Sequence, residues 1–168
     1  MASLYDLTIP FLTNALKAQQ HLLSKAEGFE VSTNDLLESR LAPDMWPLSQ
    51  QIVITALHAA MFVAKVTGNP PNQINFGPAS LEDAKKYLAE TLKTLEGVTP
   101  ESINGKEDQI IGAMMGPGNE VNMKAVDYAQ GYLTPNVFFH LTTAYDILRS
   151  KGVPLGKADF LSGFVKRA

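Results

Sequence analysis

Three histidines, His21, His58 and His140, are the side chains of this chain whose ordinary pKa lies near neutrality, so acid–base or metal-ligating chemistry starts with them. There is no cysteine, which removes thiolate nucleophiles, Cys-ligated zinc and disulfides together. The sequence also lacks H-E-x-x-H, G-x-S-x-G, P-loop and G-x-G-x-x-G patterns, and the glycines of Gly116-Pro117-Gly118-Asn119 read as turn chemistry rather than a phosphate cradle. His21 shares a helical arc with Lys17 and Lys25 and is expected at the surface. His58 lies on a polar stripe with Gln51, Thr55 and Lys65. A stripe that ends in Lys commonly marks where a buried helix reaches solvent; the other reading is a polar line facing a pocket, with Phe62 as its apolar floor. His140 shares a face with Val137, Leu141 and Leu148, while Thr142, Asp146 and Arg149 lie opposite, so it points inward. An inward histidine is either a satisfied core residue or a binding group. Asn136 and Thr143 share its face at i−4 and i+3, which makes a buried polar cluster available and His140 the first candidate for binding and for catalysis.

These residues need elements to hold them. The segment from Arg40 to Lys65, RLAPDMWPLSQQIVITALHAAMFVAK, is interrupted between Ile52 and Ala64 only by Thr55 and His58. A helix apolar most of the way round needs protein on several faces, which predicts a central buried helix. Asp44, after the Ala42-Pro43 break, is its expected N-cap, and Gly68 with Pro70-Pro71 its end. Thr8, with Pro10 in the opening turn, predicts a first helix running to about Lys25 and burying Leu12, Ala15, Leu16, Leu22 and Leu23. A short helical piece, STNDLLESRL, starts at Ser32. Ser80 and Asp83 form a capping box ahead of Leu81, Ala84, Leu88, Leu92 and Leu95, predicting an amphipathic helix that stops at Glu96-Gly97. Thr99 to Lys106 reads as loop.

Between Gln109 and Val126, the turn residues and the alternation of Val121, Met123 and Ala125 predict a β-hairpin. Met114, Met115 and Met123 on it are either gap-filling core or a flexible apolar lid. After Thr134-Pro135 the last long helix is expected from near Asn136 to about Lys151, with a short helix from Lys157 to Val165 closing the chain. Leu16, Leu57, Ala60, Ala64, Leu88, Leu141 and Leu148 are the expected core.

At 168 residues, 45% hydrophobic and 18% charged, the chain reads as one globular domain over residues 1–168. A formal charge of −3 with no block of Lys or Arg argues against nucleic acid as a partner. The longest apolar run is short of the roughly 18 residues of a membrane span, and the N-terminal MASLYDLTIPFL lacks a basic region and a long apolar core. The expectation is a cytoplasmic protein without a membrane partner.

Two stretches, LESRLAPDMWPLSQQ and FFHLTTAYDILRSKGVPLGKADFL, together resemble a domain-of-unknown-function branch of the DinB-like (YfiT-like) superfamily, found in bacteria and fungi. The resemblance spans the whole chain. It implies an up-down-down-up four-helix bundle, mainly α, with the small β-hairpin inserted before the last long helix. Characterised DinB-like relatives include metal-dependent thiol transferases and a thiol-dependent isomerase, whose divalent ion is held by one His of the second helix and an H-x-x-x-H pair on the last. Aligned on the L-R-x-x-G-V end of the last helix, His140 takes the second position of that pair and Asn136 the first. The second-helix ligand then falls near Ile54, with Gln50 a turn earlier and His58 a turn later. One imidazole and a neutral amide hold zinc or nickel poorly, so the resemblance implies a degenerate metal site and no cofactor.

The first functional reading is therefore a small organic molecule bound in a bundle-end pocket lined by Asp44, Trp46, Gln50, Asn136, His140 and Thr143, with metal-independent acid–base chemistry at His140 left open. That convergence assumes that the central and last helices start at the same end of the bundle. The second is a divalent-metal-dependent transferase-like enzyme holding zinc or nickel through His140, His58 and Asn136. The third is a non-catalytic interaction module working as a homodimer.

Overall fold

The most apolar helix of the chain, α3 (Leu48–Thr67), lies where its composition requires, with Ile52, Val53, Ala56, Ala59 and Phe62 buried. In the computed structural model, which describes residues 2–27, 29, 32–71, 73–75, 77 and 79–165, it packs against α4 (Leu81–Glu96) and α7 (Thr134–Ser150). The fourth long helix, α1 (Leu4–Glu27), closes the ring by packing on α4 and α7, diagonally across from α3. Named contacts give the helix directions. Lys85 at the start of α4 pairs with Glu27 at the end of α1, so these two are antiparallel. Gln51 meets His140 and Phe62 meets Tyr128, so α3 runs against the last helical run. The ends of α3 and α4 face one cavity through Ala64, Thr67, Thr94 and Gly97, so those two are parallel. The result is an up-down-down-up bundle, as expected.

One side of α3 stays partly open, although the short helix α2 (Thr33–Glu38) packs on it as well as α4 and α7. Leu57 and Ala64, expected in the core, are half-buried, Ala64 at the cavity between the ends of α3 and α4, whereas Leu16, Ala60, Leu88, Leu141 and Leu148 are buried as expected. Among the described residues α3 is the one helix long and apolar enough to cross a membrane, and its place at the centre of the bundle accounts for that composition.

Several boundaries differ from the sequence reading for physical reasons. Helix α1 starts at Leu4, capped by Ser3, whose hydroxyl accepts from the Asp6 N–H while the Asp6 carboxylate accepts from the Ser3 N–H. Thr8 is therefore inside the helix, buried, its hydroxyl donating to the Leu4 carbonyl, and Pro10 is tolerated in the interior. Helix α3 starts at Leu48 with Pro47 as N-cap, and Asp44 is exposed in the preceding turn. Pro47 biases Trp46 away from helical backbone angles, so a cap at Asp44 has no helix to cap. Gly68, at φ 80°, closes α3 in the left-handed region, and the side chains of Lys106 and Gln109 donate to its last carbonyls, on Val66 and Lys65. The capping box of α4 between Ser80 and Asp83 is as predicted. Part of the expected loop after it forms a one-turn helix, α5 (Pro100–Ile103).

The hairpin pairs β1 (Ile110–Met114) with β2 (Glu120–Lys124), Gly112 opposite Asn122. The largest departure from the sequence reading lies directly after β2. The last helical run begins not near Asn136 but at α6 (Ala125–Asp127), passes through a π-helix (Tyr128–Leu133) and continues as α7. Pro135 cannot donate a backbone bond, and the chain accommodates it by widening the turn before it: the Thr134 N–H and hydroxyl both donate to the Ala129 carbonyl. A final short helix, α8 (Lys157–Leu161), is tied to α1 through Asp159, which accepts from His21 Nε2 at 2.9 Å and Lys25 at 3.2 Å. His21 is thus a half-exposed tether rather than a purely solvated residue.

Candidate functional site

His140 is 6% exposed on the inward face of α7, as its periodicity predicts. Its Nδ1 lies 2.7 Å from Gln51 Oε1, and the Gln51 amide nitrogen donates to the Trp46 carbonyl at 3.0 Å. A carbonyl oxygen only accepts, so the Gln51 NH2 must face Trp46 and Oε1 must face the imidazole. His140 then carries its proton on Nδ1. Its Nε2 has no hydrogen-bond partner among the described residues and is not sealed from solvent.

Aromatic rings surround the imidazole. Trp46 lies 5.9 Å away with its plane within 15°, and His58 lies 5.8 Å away with its plane within 25°. Phe139 presents an edge at 5.2 Å. Tyr132, delivered by the π-helix, meets His58 edge-on at 5.7 Å and donates its hydroxyl to the Met114 carbonyl, fastening the hairpin beside the site. Burial holds the His58 ring down to about 4, and burial together with the neighbouring His58 holds His140 down to about 4, so both imidazoles are neutral at pH 7.

Of the predicted residues, Trp46 and His140 come together. Gln50 does not join them; the next residue, Gln51, does, because it shares with Thr55 the face of α3 turned toward α7. The polar stripe of α3 therefore turns inward at Gln51 and Thr55, both buried, rather than marking a solvent strip, and Phe62 beneath it is fully buried against Tyr128. Asp44 stays exposed in its turn. Asn136 and Thr143 are on the expected face but spend their donors on their own helix, Asn136 on the Tyr132 carbonyl and Thr143 on the Phe139 carbonyl. The helix starts are at opposite ends of the bundle. His140 still reaches the start of α3 because it lies deep inside a helical run that begins at Ala125. Tyr132 and Phe139 were missed; the i, i+4, i+7 spacing of Gln51, Thr55 and His58 was the available signal for a polar line facing α7.

The donor set for a metal is short. His58 and His140 are adjacent neutral imidazoles, but among the described residues there is no group of three His, Cys, Asp or Glu side chains, and Asn136 adds only a neutral amide. These residues do not fit a zinc or nickel site. None of the described cavities is lined by His140 or Trp46; one of about 280 Å³ lies elsewhere, between the C-terminal ends of α3 and α4.

The fold, with its hairpin insertion and its histidine on the last long helix, is that of a DinB-like helical bundle. In agreement, a crystal structure of a DinB family member from Shewanella denitrificans is similar over 98% of this chain and 95% of that one, with a TM-score of 0.86 and 32% sequence identity. Residues 4–161 match the domain of unknown function DUF1993, and the chain belongs to that family. No curated protein matches the chain.

Proposed function

We propose that this protein binds a small organic molecule where the start of α3 meets α7, with His140 as the polar contact and Trp46, His58, Tyr132 and Phe139 as the aromatic surround. The observation that carries this reading is the Gln51–His140 hydrogen bond. It fixes a buried imidazole in one orientation and leaves its other nitrogen without a partner, whereas a purely structural core histidine is satisfied at both. Apolar and aromatic walls with a few placed polar atoms are the usual composition of a small-molecule site.

With its pKa lowered to about 4, His140 is an acceptor at neutral pH and a weak proton acceptor in catalysis, so binding ranks ahead of acid–base chemistry. The test is a fragment screen followed by NMR, observing the His140 ring nitrogens and the Trp46 indole. Fragments that move both in the wild type and neither in His140→Ala support the site; a screen in which no fragment moves either ends the proposal. The metal-dependent reading draws on one observation, the adjacency of His58 and His140, and lacks a third ligand.

A further inference from the structure

Resting on the small-molecule reading above, we infer that the His140 niche selects flat, uncharged molecules that donate a hydrogen bond, such as phenols and N–H heteroaromatics, and discriminates against carboxylates and phosphates. The selection is built into the direction of the hydrogen bonds. The Trp46 carbonyl can only accept, which orients the Gln51 amide; the Gln51 oxygen can only accept, which places the His140 proton on Nδ1. A neutral ring with its proton there offers a lone pair at Nε2, so the ligand has to bring the hydrogen. An acceptor-only group facing that lone pair gains nothing and loses its hydration.

Shape and charge agree with this direction. The lone pair of Nε2 lies in the imidazole plane, and the planes of Trp46 and His58 are within 15° and 25° of it. A flat donor that approaches along that lone pair and lies in the imidazole plane runs nearly parallel to both rings, the arrangement that favours offset stacking. None of Trp46, Gln51, His58, Tyr132, Phe139 and His140 carries a charge at pH 7, so an anion entering the niche finds no ion partner among them. Arg40 lies on the loop before α3, but it is exposed and one guanidinium N–H donates to the Met45 carbonyl.

Three probes of one shape separate the terms: p-cresol, 4-methylanisole and 4-methylbenzoate, titrated at pH 7 into the 15N-labelled protein. Long-range 1H–15N spectra of the imidazoles should show His140 protonated at Nδ1, and p-cresol should shift its Nε2 and the Trp46 indole. A dissociation constant about tenfold lower for p-cresol than for 4-methylanisole is expected from one hydrogen bond, with 4-methylbenzoate weaker again. A proton found on Nε2, or equal binding of the ether or the carboxylate at His140, overturns the donor selectivity while the small-molecule site stands. If all three probes leave His140 and Trp46 unmoved, the site and the selectivity fall together.

Discussion

At the scale of single residues, the molecule turns on Gln51. Its side chain is buried and joins the loop before α3 to the middle of the last helical run, so it sets both the geometry and the tautomer of His140. Gln51→Leu keeps the approximate volume and removes both bonds, leaving the His140 Nδ1–H without its acceptor. A loss of about 1 to 3 kcal/mol in urea unfolding is expected, together with a mixed tautomer signal from His140. The two depressed imidazoles also predict a pH dependence. Their folded pKa values, about 4, lie below the unfolded value of 6.5, so between those limits the unfolded chain binds more protons than the native one. Stability present above pH 6.5 is therefore lost as the pH falls toward 4. The loss is about 3 kcal/mol at most for each imidazole, and denaturant midpoints measured from pH 7 to pH 4.5 in wild type and His140→Gln should differ in slope.

At the scale of elements, the last helical run decides the site. The widened π-turn presents Tyr128 and Tyr132, ring centroids 5.0 Å apart, toward α3, and α7 then buries Val137, His140, Leu141, Ala144, Ile147 and Leu148 along one face. Leu148, 1% exposed, has no solvent route to relax into, and Leu148→Ala should cost roughly 2 to 5 kcal/mol. An unchanged melting curve would contradict the central packing of α7. Helix α4 depends more on its own ends: Ser80→Ala removes the hydroxyl that accepts from the Asp83 N–H, leaving only the Ser80 N–H bond to the Asp83 carboxylate, and should lower stability by about 1 kcal/mol in the same assay. Both elements were legible in advance, α4 because its cap and its apolar spacing agree, α7 because its inward face is periodic. The run before α7 was not, because Thr134-Pro135 carries the local signature of a break and only packing against α3 and the hairpin keeps Tyr128–Leu133 helical.

At the scale of the whole molecule, the bundle supplies a deep interior in which, among the described residues, no three His, Cys, Asp or Glu side chains come together. We expect protein purified without an affinity tag and dialysed against a mild chelator to retain far less than one equivalent of zinc or nickel by elemental analysis; a full equivalent would favour the transferase-like reading. The sequence by itself determined the four long helices, most of their buried faces, the hairpin and the inward direction of His140, because each follows from periodicity and turn chemistry within a few residues. Only the tertiary structure decided which residues meet it. Gln51 rather than Gln50 faces His140, a choice set by the rotation of α3 against α7, and Asp44 drops out because Pro47 delays the helix. Tyr132 arrives through a π-turn that no local pattern announces. Contacts between residues 89 positions apart depend on how two helices are rotated and shifted against each other, and the rest of the core fixes that rotation and shift.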